Sequence, residues 1–171
     1  MATTVRLEAE KMLENDGWFR SLNLEQSWVW TWLLMRVYLN CKCGIWSMPT
    51  EKAVSETKLK SVDELIIILE KFKQDRKIDY QIREYEIWFW MINRGKRIVS
   101  EEDKSEKGSN WTKAAQRDIY DLKLNPECPP QFVEACIARY PIFGGYVPPK
   151  TQSDNRGAVQ DRLRGFGKGG K

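Results

Sequence analysis

The 171-residue chain is long enough for one domain with its own core, and 42% hydrophobic against 30% charged residues is a globular balance. No apolar run approaches the roughly 18 residues that cross a bilayer, and "MATTVRLEAEK" lacks a signal peptide's apolar stretch, so a cytoplasmic protein without membrane contact is expected. The net charge of +4 resides in the tail, where Lys150, Arg156, Arg162, Arg164, Lys168 and Lys171 face only Asp154 and Asp161, which excludes a uniformly basic body.

In chain order, residues 5–16 suit a short helix ended by Gly17. Asn23 then caps a second helix, with Gln26 completing a capping box. From Trp28 to Leu39 only Thr31 and Arg36 are polar, the pattern of a central core helix. "GIWSMP" reads as a short strand stopped by Pro49, and Thr50 as the cap of a helix over "TEKAVSETKL". Ser61, with Glu64 three residues on, caps the next helix, whose core stripe is Val62, Leu65, Leu69 and Phe72. "IDYQI" and "EIWFWMI", joined by a turn at Arg83-Glu84-Tyr85, form a hairpin.

Helix, strand, helix, helix, strand, strand is the order of a winged helix-turn-helix. The expected fold is therefore α+β and mainly helical: a winged-helix domain with its N-terminal helix over 1–100, and a two- or three-stranded wing. Residues 101–110 read as a charged linker, 111–147 as a helical extension packing on the domain, and 148–171 as a disordered Gly/basic tail. In "EIWFWMI" both faces are apolar. Trp88 and Trp90 are assigned to the winged-helix core, and Phe89 and Met91 to the cover supplied by the extension.

The stretch from Gly44 to Ile92 resembles the N-terminal winged-helix domain of phage replication initiation proteins, relatives of replisome organisers and DnaD-type primosome proteins. The features that carry it are a Gly-Ile-aromatic strand with a Pro, a helix pair whose second member starts Ser-x-x-Glu, and a wing ending in aromatics. "NWTKAAQRDIYDLKLNPECPPQFVEACIARYP" is similar to the helical segment that follows this wing, so the resemblance covers about residues 17–141. It implies a protein in the bacterial host cytoplasm that binds origin DNA, recruits replication proteins such as a helicase or its loader, and self-associates. Beyond residue 141 the sequence shows no counterpart of the second helical domain through which many relatives engage helicase or DNA.

A groove-reading helix would present Ser61, Asp63 and Glu64, flanked by Lys58 and Lys60; the same residues also serve as cap and dipole compensation. Lys71, Lys73, Arg76 and Lys77 suit either phosphate contacts or a solvated helix face. Arg83, with Tyr85 beside it, is either a minor-groove finger or a polar hairpin tip. Arg94, Lys96 and Arg97 form a basic knot after the wing, and Arg162, Arg164 and Lys168 with Phe166 resemble a single-strand-binding segment.

No phosphate-binding or nucleophile-elbow motif is present, and the lack of histidine removes every Ser-His or Cys-His pair. No enzymatic activity and no cofactor are expected. A zinc site would need all four thiolates of Cys41, Cys43, Cys128 and Cys136, in C-x-C and C-x7-C spacings unlike the C-x2-C knuckle, so reduced structural cysteines without metal are expected. The functional expectation is a phage-type replication initiation protein. Its alternatives are a winged-helix transcriptional regulator, and a protein-interaction module that captures a host replication factor without binding DNA.

Overall fold

The computed structural model describes residues 16–101 and 106–148, apart from the side chains of 38–40, 97, 101 and 106–109. The helix expected over 5–16 and the tail therefore lie outside the described residues. The chain starts with one turn, α1 (Gly17–Arg20), whose cap Asp16 accepts from the Trp18 and Phe19 amides. In α2 (Leu24–Asn40) the expected capping box is formed: Asn23 accepts from the Gln26 amide at 2.9 Å, and Gln26 accepts from the Asn23 amide at 3.1 Å. There follow β1 (Ile45–Pro49), α3 (Thr50–Thr57), α4 (Val62–Gln74), β2 (Ile78–Arg83) and β3 (Glu86–Met91). The chain continues through α5 (Arg94–Glu101), α6 (Glu106–Leu124), α7 (Pro130–Arg139) and a 3-10 turn, Pro141–Gly145.

The architecture is α+β and mostly helical, around one antiparallel sheet in the order β1-β3-β2. Central β3 pairs with β1 from Ile45↔Trp90 to Pro49↔Glu86, and with β2 from Ile78↔Met91 to Arg83↔Glu86. Successive side chains point to opposite faces, so a central strand covered on both sides must be apolar throughout. On one face Trp46, Met48, Ile87, Phe89 and Met91 meet Val29, Leu33 and Val37 of α2 and Leu65, Leu69 and Phe72 of α4. On the other, Ile45, Trp88 and Trp90 meet Ile98 of α5, Ala115 and Ile119 of α6, and Phe132, Val133 and Cys136 of α7.

This reverses the two faces expected for β3. Trp88 and Trp90 lie under the C-terminal helices, and Phe89 and Met91 in the core with α2 and α4. The register decides it. Cross-strand partners share a face, so Phe89, opposite Trp46 and stacked on it at 4.5 Å, lies with it in the α2/α4 layer, and Trp88 and Trp90 fall on the other side.

Three further expectations are corrected. Residues 101–110 are not a continuous linker: α5 reaches Glu101 and α6 begins at Glu106. Asn110, a residue suited to cap a helix over 111–122, sits instead inside α6. At α3 the cap position is Pro49, with Thr50 the first helical residue. Finally, α2 is not buried all round, since Leu24 (87% exposed), Trp28 and Met35 open to solvent along one side.

Candidate nucleic-acid interface

Between α3 and α4 the chain turns through Lys58, Leu59, Lys60 and Ser61. Lys58 takes a left-handed conformation (φ 61°), which stops α3 and reverses the chain. Ser61 caps α4 by accepting from the Glu64 amide at 3.3 Å, while the Glu64 carboxylate reaches back to the Lys60 amide at 2.8 Å. Glu64 is thus held as a capping group. The side chains of Lys58 and Lys60 are exposed, and among the described residues neither has an ion-pair partner.

The outward side of α4 has a different character. Asp63, Ile67 (70% exposed) and Glu70 follow one another at helical spacing. Of the cations further along, Arg76 is exposed and three lysines are engaged. Lys71 pairs with Asp75 at 3.3 Å, Lys73 with Asp79 at 2.9 Å, and Lys77 lies 4.3 Å over the Trp18 ring. Tyr80 donates its hydroxyl to Glu70 at 2.7 Å; its burial and that bond raise its pKa.

The hairpin places Arg83 one residue below the tip, which is Glu84-Tyr85. Arg83 does not project from it. Its guanidinium donates to the Glu127 carbonyl at 3.2 Å in the loop between α6 and α7, and Gln131 donates to Gln81 at 2.6 Å beside it. Tyr85 is left at the tip, 84% exposed, its carbonyl accepting from the Thr50 amide at 2.8 Å.

The basic knot is wound into α5. At 100° per residue, Arg94 and Lys96 leave the helix on nearly opposite sides. Arg94 is half-buried and its stem packs against Gly44, whereas Lys96 is exposed. Gly95 and Ile98 face inward. The side chains of Arg97, Arg162, Arg164 and Lys168 lie outside the described residues. The candidates thus occupy separate places: Lys58, Lys60 and Ser61 at the helix–helix turn, Lys71 in an ion pair, Arg83 and Tyr85 on the hairpin, Arg94 and Lys96 on α5.

Sequence reasoning missed two features. Ile67 belongs to the run "IIIL", in which periodicity alone does not say which isoleucine faces out. The second is a cluster of Cys41, Cys43 and Asp118, whose ligand atoms lie within 4.8 Å of one another. The cysteines alone drew attention for their spacing; the carboxylate comes from a helix 75 residues downstream. No family model, curated protein or solved structure matches this chain.

Proposed function

We propose that the chain is a winged-helix protein of the phage replication-initiation type, a non-enzymatic module that docks on duplex DNA and recruits replication partners. One observation carries the reading. The pair α3–α4, joined by a four-residue turn, is inserted between β1 and β2 of a sheet ordered β1-β3-β2. This order supports a reading as helix-turn-helix followed by a hairpin wing, with Lys58 and Lys60 exposed at the turn. Two lysines there are placed for phosphates, which position a protein without reading sequence. Asp63 and Glu70 on the outward side of α4 repel phosphates, so this docking is a backbone contact and not base readout by α4. A helicase or loader, and a second copy of the chain, are the protein partners this reading suggests.

The exposed Ile67, flanked by those carboxylates, favours a second reading: a protein-interaction module that captures a replication factor through α4. Fluorescence anisotropy with duplex and single-stranded oligonucleotides across a salt series separates the two. Under the first reading, Lys58→Glu/Lys60→Glu lowers duplex affinity at least ~10-fold and flattens the slope of log K against log salt by about 2. The same series on the chain cut after Tyr146 separates the tail's contribution. Salt-independent binding, or none by the intact chain, overturns the DNA reading. Loss of partner capture in Ile67→Asp, with DNA affinity unchanged, supports the second.

A further inference from the structure

The segment Cys41-Lys42-Cys43-Gly44 links α2 to β1 and turns sharply at Gly44 (φ 90°). Its amides converge on one carboxylate of α6: Asp118 Oδ2 accepts from Lys42 N at 2.5 Å and from Cys43 N at 3.3 Å. Both bonds use the same oxygen, which fixes the carboxylate and leaves Oδ1 uncommitted. The two thiols lie alongside, their sulfurs within 4.8 Å of each other and of the carboxylate. Asp118 has no ion-pair partner among the described residues, and the Lys42 ammonium lies 6.0 Å over the Trp111 ring. Cys43 is fully buried, and Cys41 and Asp118 are half-buried beside it. Three potential anions therefore share one half-buried place with no cation bound to them.

The geometry points to a divalent-metal site of the zinc class, formed by Cys41, Cys43 and Asp118. Two sulfurs and one carboxylate oxygen suit a borderline-soft ion and exclude calcium and magnesium, which take oxygen ligands. With zinc–sulfur bonds of about 2.3 Å, tetrahedral ligands stand about 3.8 Å apart, so atoms already within 4.8 Å need shifts of roughly an ångström. Cys41 and Asp118 also border an open cavity of about 300 Å³ together with Asp121, from which Asp121 or water would complete the shell. Binding replaces two S–H bonds by two metal–sulfur bonds, and both protons leave to solvent. The ion would clip the end of α2 and the start of β1 to α6, tying the two layers together beside the sheet. This inference is independent of the DNA reading.

The test is titration of the fully reduced full-length chain with Co²⁺, followed by displacement with Zn²⁺. One equivalent should produce a sulfur-to-cobalt charge-transfer band and the visible bands of a tetrahedral ion, both erased by Zn²⁺. Cys41→Ser and Asp118→Asn should each weaken binding at least ~10-fold, a loss typical of disturbed metal shells. Cys128→Ser, whose thiol sits against Pro129 and away from the cluster, should leave binding unchanged. In the unmutated chain, Zn²⁺ should slow alkylation of Cys41 at least ~10-fold, a readout that needs no variant to fold. Absence of the charge-transfer band, an undiminished band in Cys41→Ser, or unchanged alkylation overturns the assignment.

Discussion

Glu84 at the hairpin tip has φ 49°, a left-handed conformation that costs a non-glycine residue about 1 kcal/mol. It lies between the paired Arg83 and Glu86, so the turn cannot relax without breaking the last rung of the β2–β3 ladder. Glu84→Asn, which tolerates this conformation, should stabilise the protein by about 0.5–1 kcal/mol, read as a higher midpoint in thermal unfolding. A second residue-scale device joins Trp18 to Asp75, 57 positions apart. The indole N–H donates at 2.6 Å, and this bond, assisted by Lys71, holds the Asp75 carboxyl below its ordinary value of 3.8. A carboxylate depressed in the folded state stabilises the fold above its unfolded value, and that gain is lost as pH falls through the folded value. Asp75→Asn should therefore lower the melting temperature more at pH 7 than near pH 3, and flatten the acid limb of a stability–pH curve. The local devices were legible in advance: Asn23 with Gln26 and Ser61 with Glu64 lie three residues apart, and capping needs no tertiary information. The Trp18–Asp75 bond was not, because nothing near either residue announces its partner.

At the scale of elements, α5 shows how a charge pattern misleads. Arg94, Gly95, Lys96 and Arg97 read as a surface knot because three of four residues are cationic. The glycine decides the structure. A Cβ on Gly95 would stand 2.6 Å from the Tyr140 ring and 2.8 Å from Phe143, so α5 docks against the end of α7 and the 3-10 turn only through the missing side chain. Tyr140 locks the arrangement by donating its hydroxyl to the Ile92 carbonyl at 2.9 Å, and Arg139 donates to Asn93 at 2.8 Å. Gly95→Ala should destabilise by about 1–3 kcal/mol despite the better helix propensity of alanine, measured as a lowered denaturant midpoint. In a double-mutant cycle the cost of Gly95→Ala should be smaller in a Tyr140→Ser background, where only the contact with Phe143 remains. The order of strands and helices was legible because period and caps repeat along the chain. The phase of β3 was not, because Ile87 to Met91 is apolar at every position and alternation gives no sign of which face meets which layer.

The whole molecule is organised around that strand. Ile87, Phe89 and Met91 belong to one core and Trp88 and Trp90 to the other, so β3 is a wall common to both layers. Neither layer can lose its contacts without exposing the other's backing. Arg83 and Gln81 extend the union to the hairpin by bonding Glu127 and Gln131. Residues 111–147 were expected to pack on the rest of the domain, and the apolar surface that α6 and α7 share with β3 is too large for independence. Leaving Ile45, Trp88 and Trp90 uncovered would expose side chains each contributing about 1.5–3 kcal/mol when buried. The full chain should therefore unfold in a single transition, with tryptophan fluorescence and far-ultraviolet dichroism coincident. A chain ended after Glu101 keeps α3, α4 and the β2–β3 hairpin but loses the cover over Trp88 and Trp90. It should show red-shifted emission, bind a hydrophobic dye, self-associate, and melt at least ~10 °C lower, if cooperatively at all. An unchanged melting temperature in that shortened chain would mean that the second layer is an appendage; coincident loss of both signals would establish one cooperative unit.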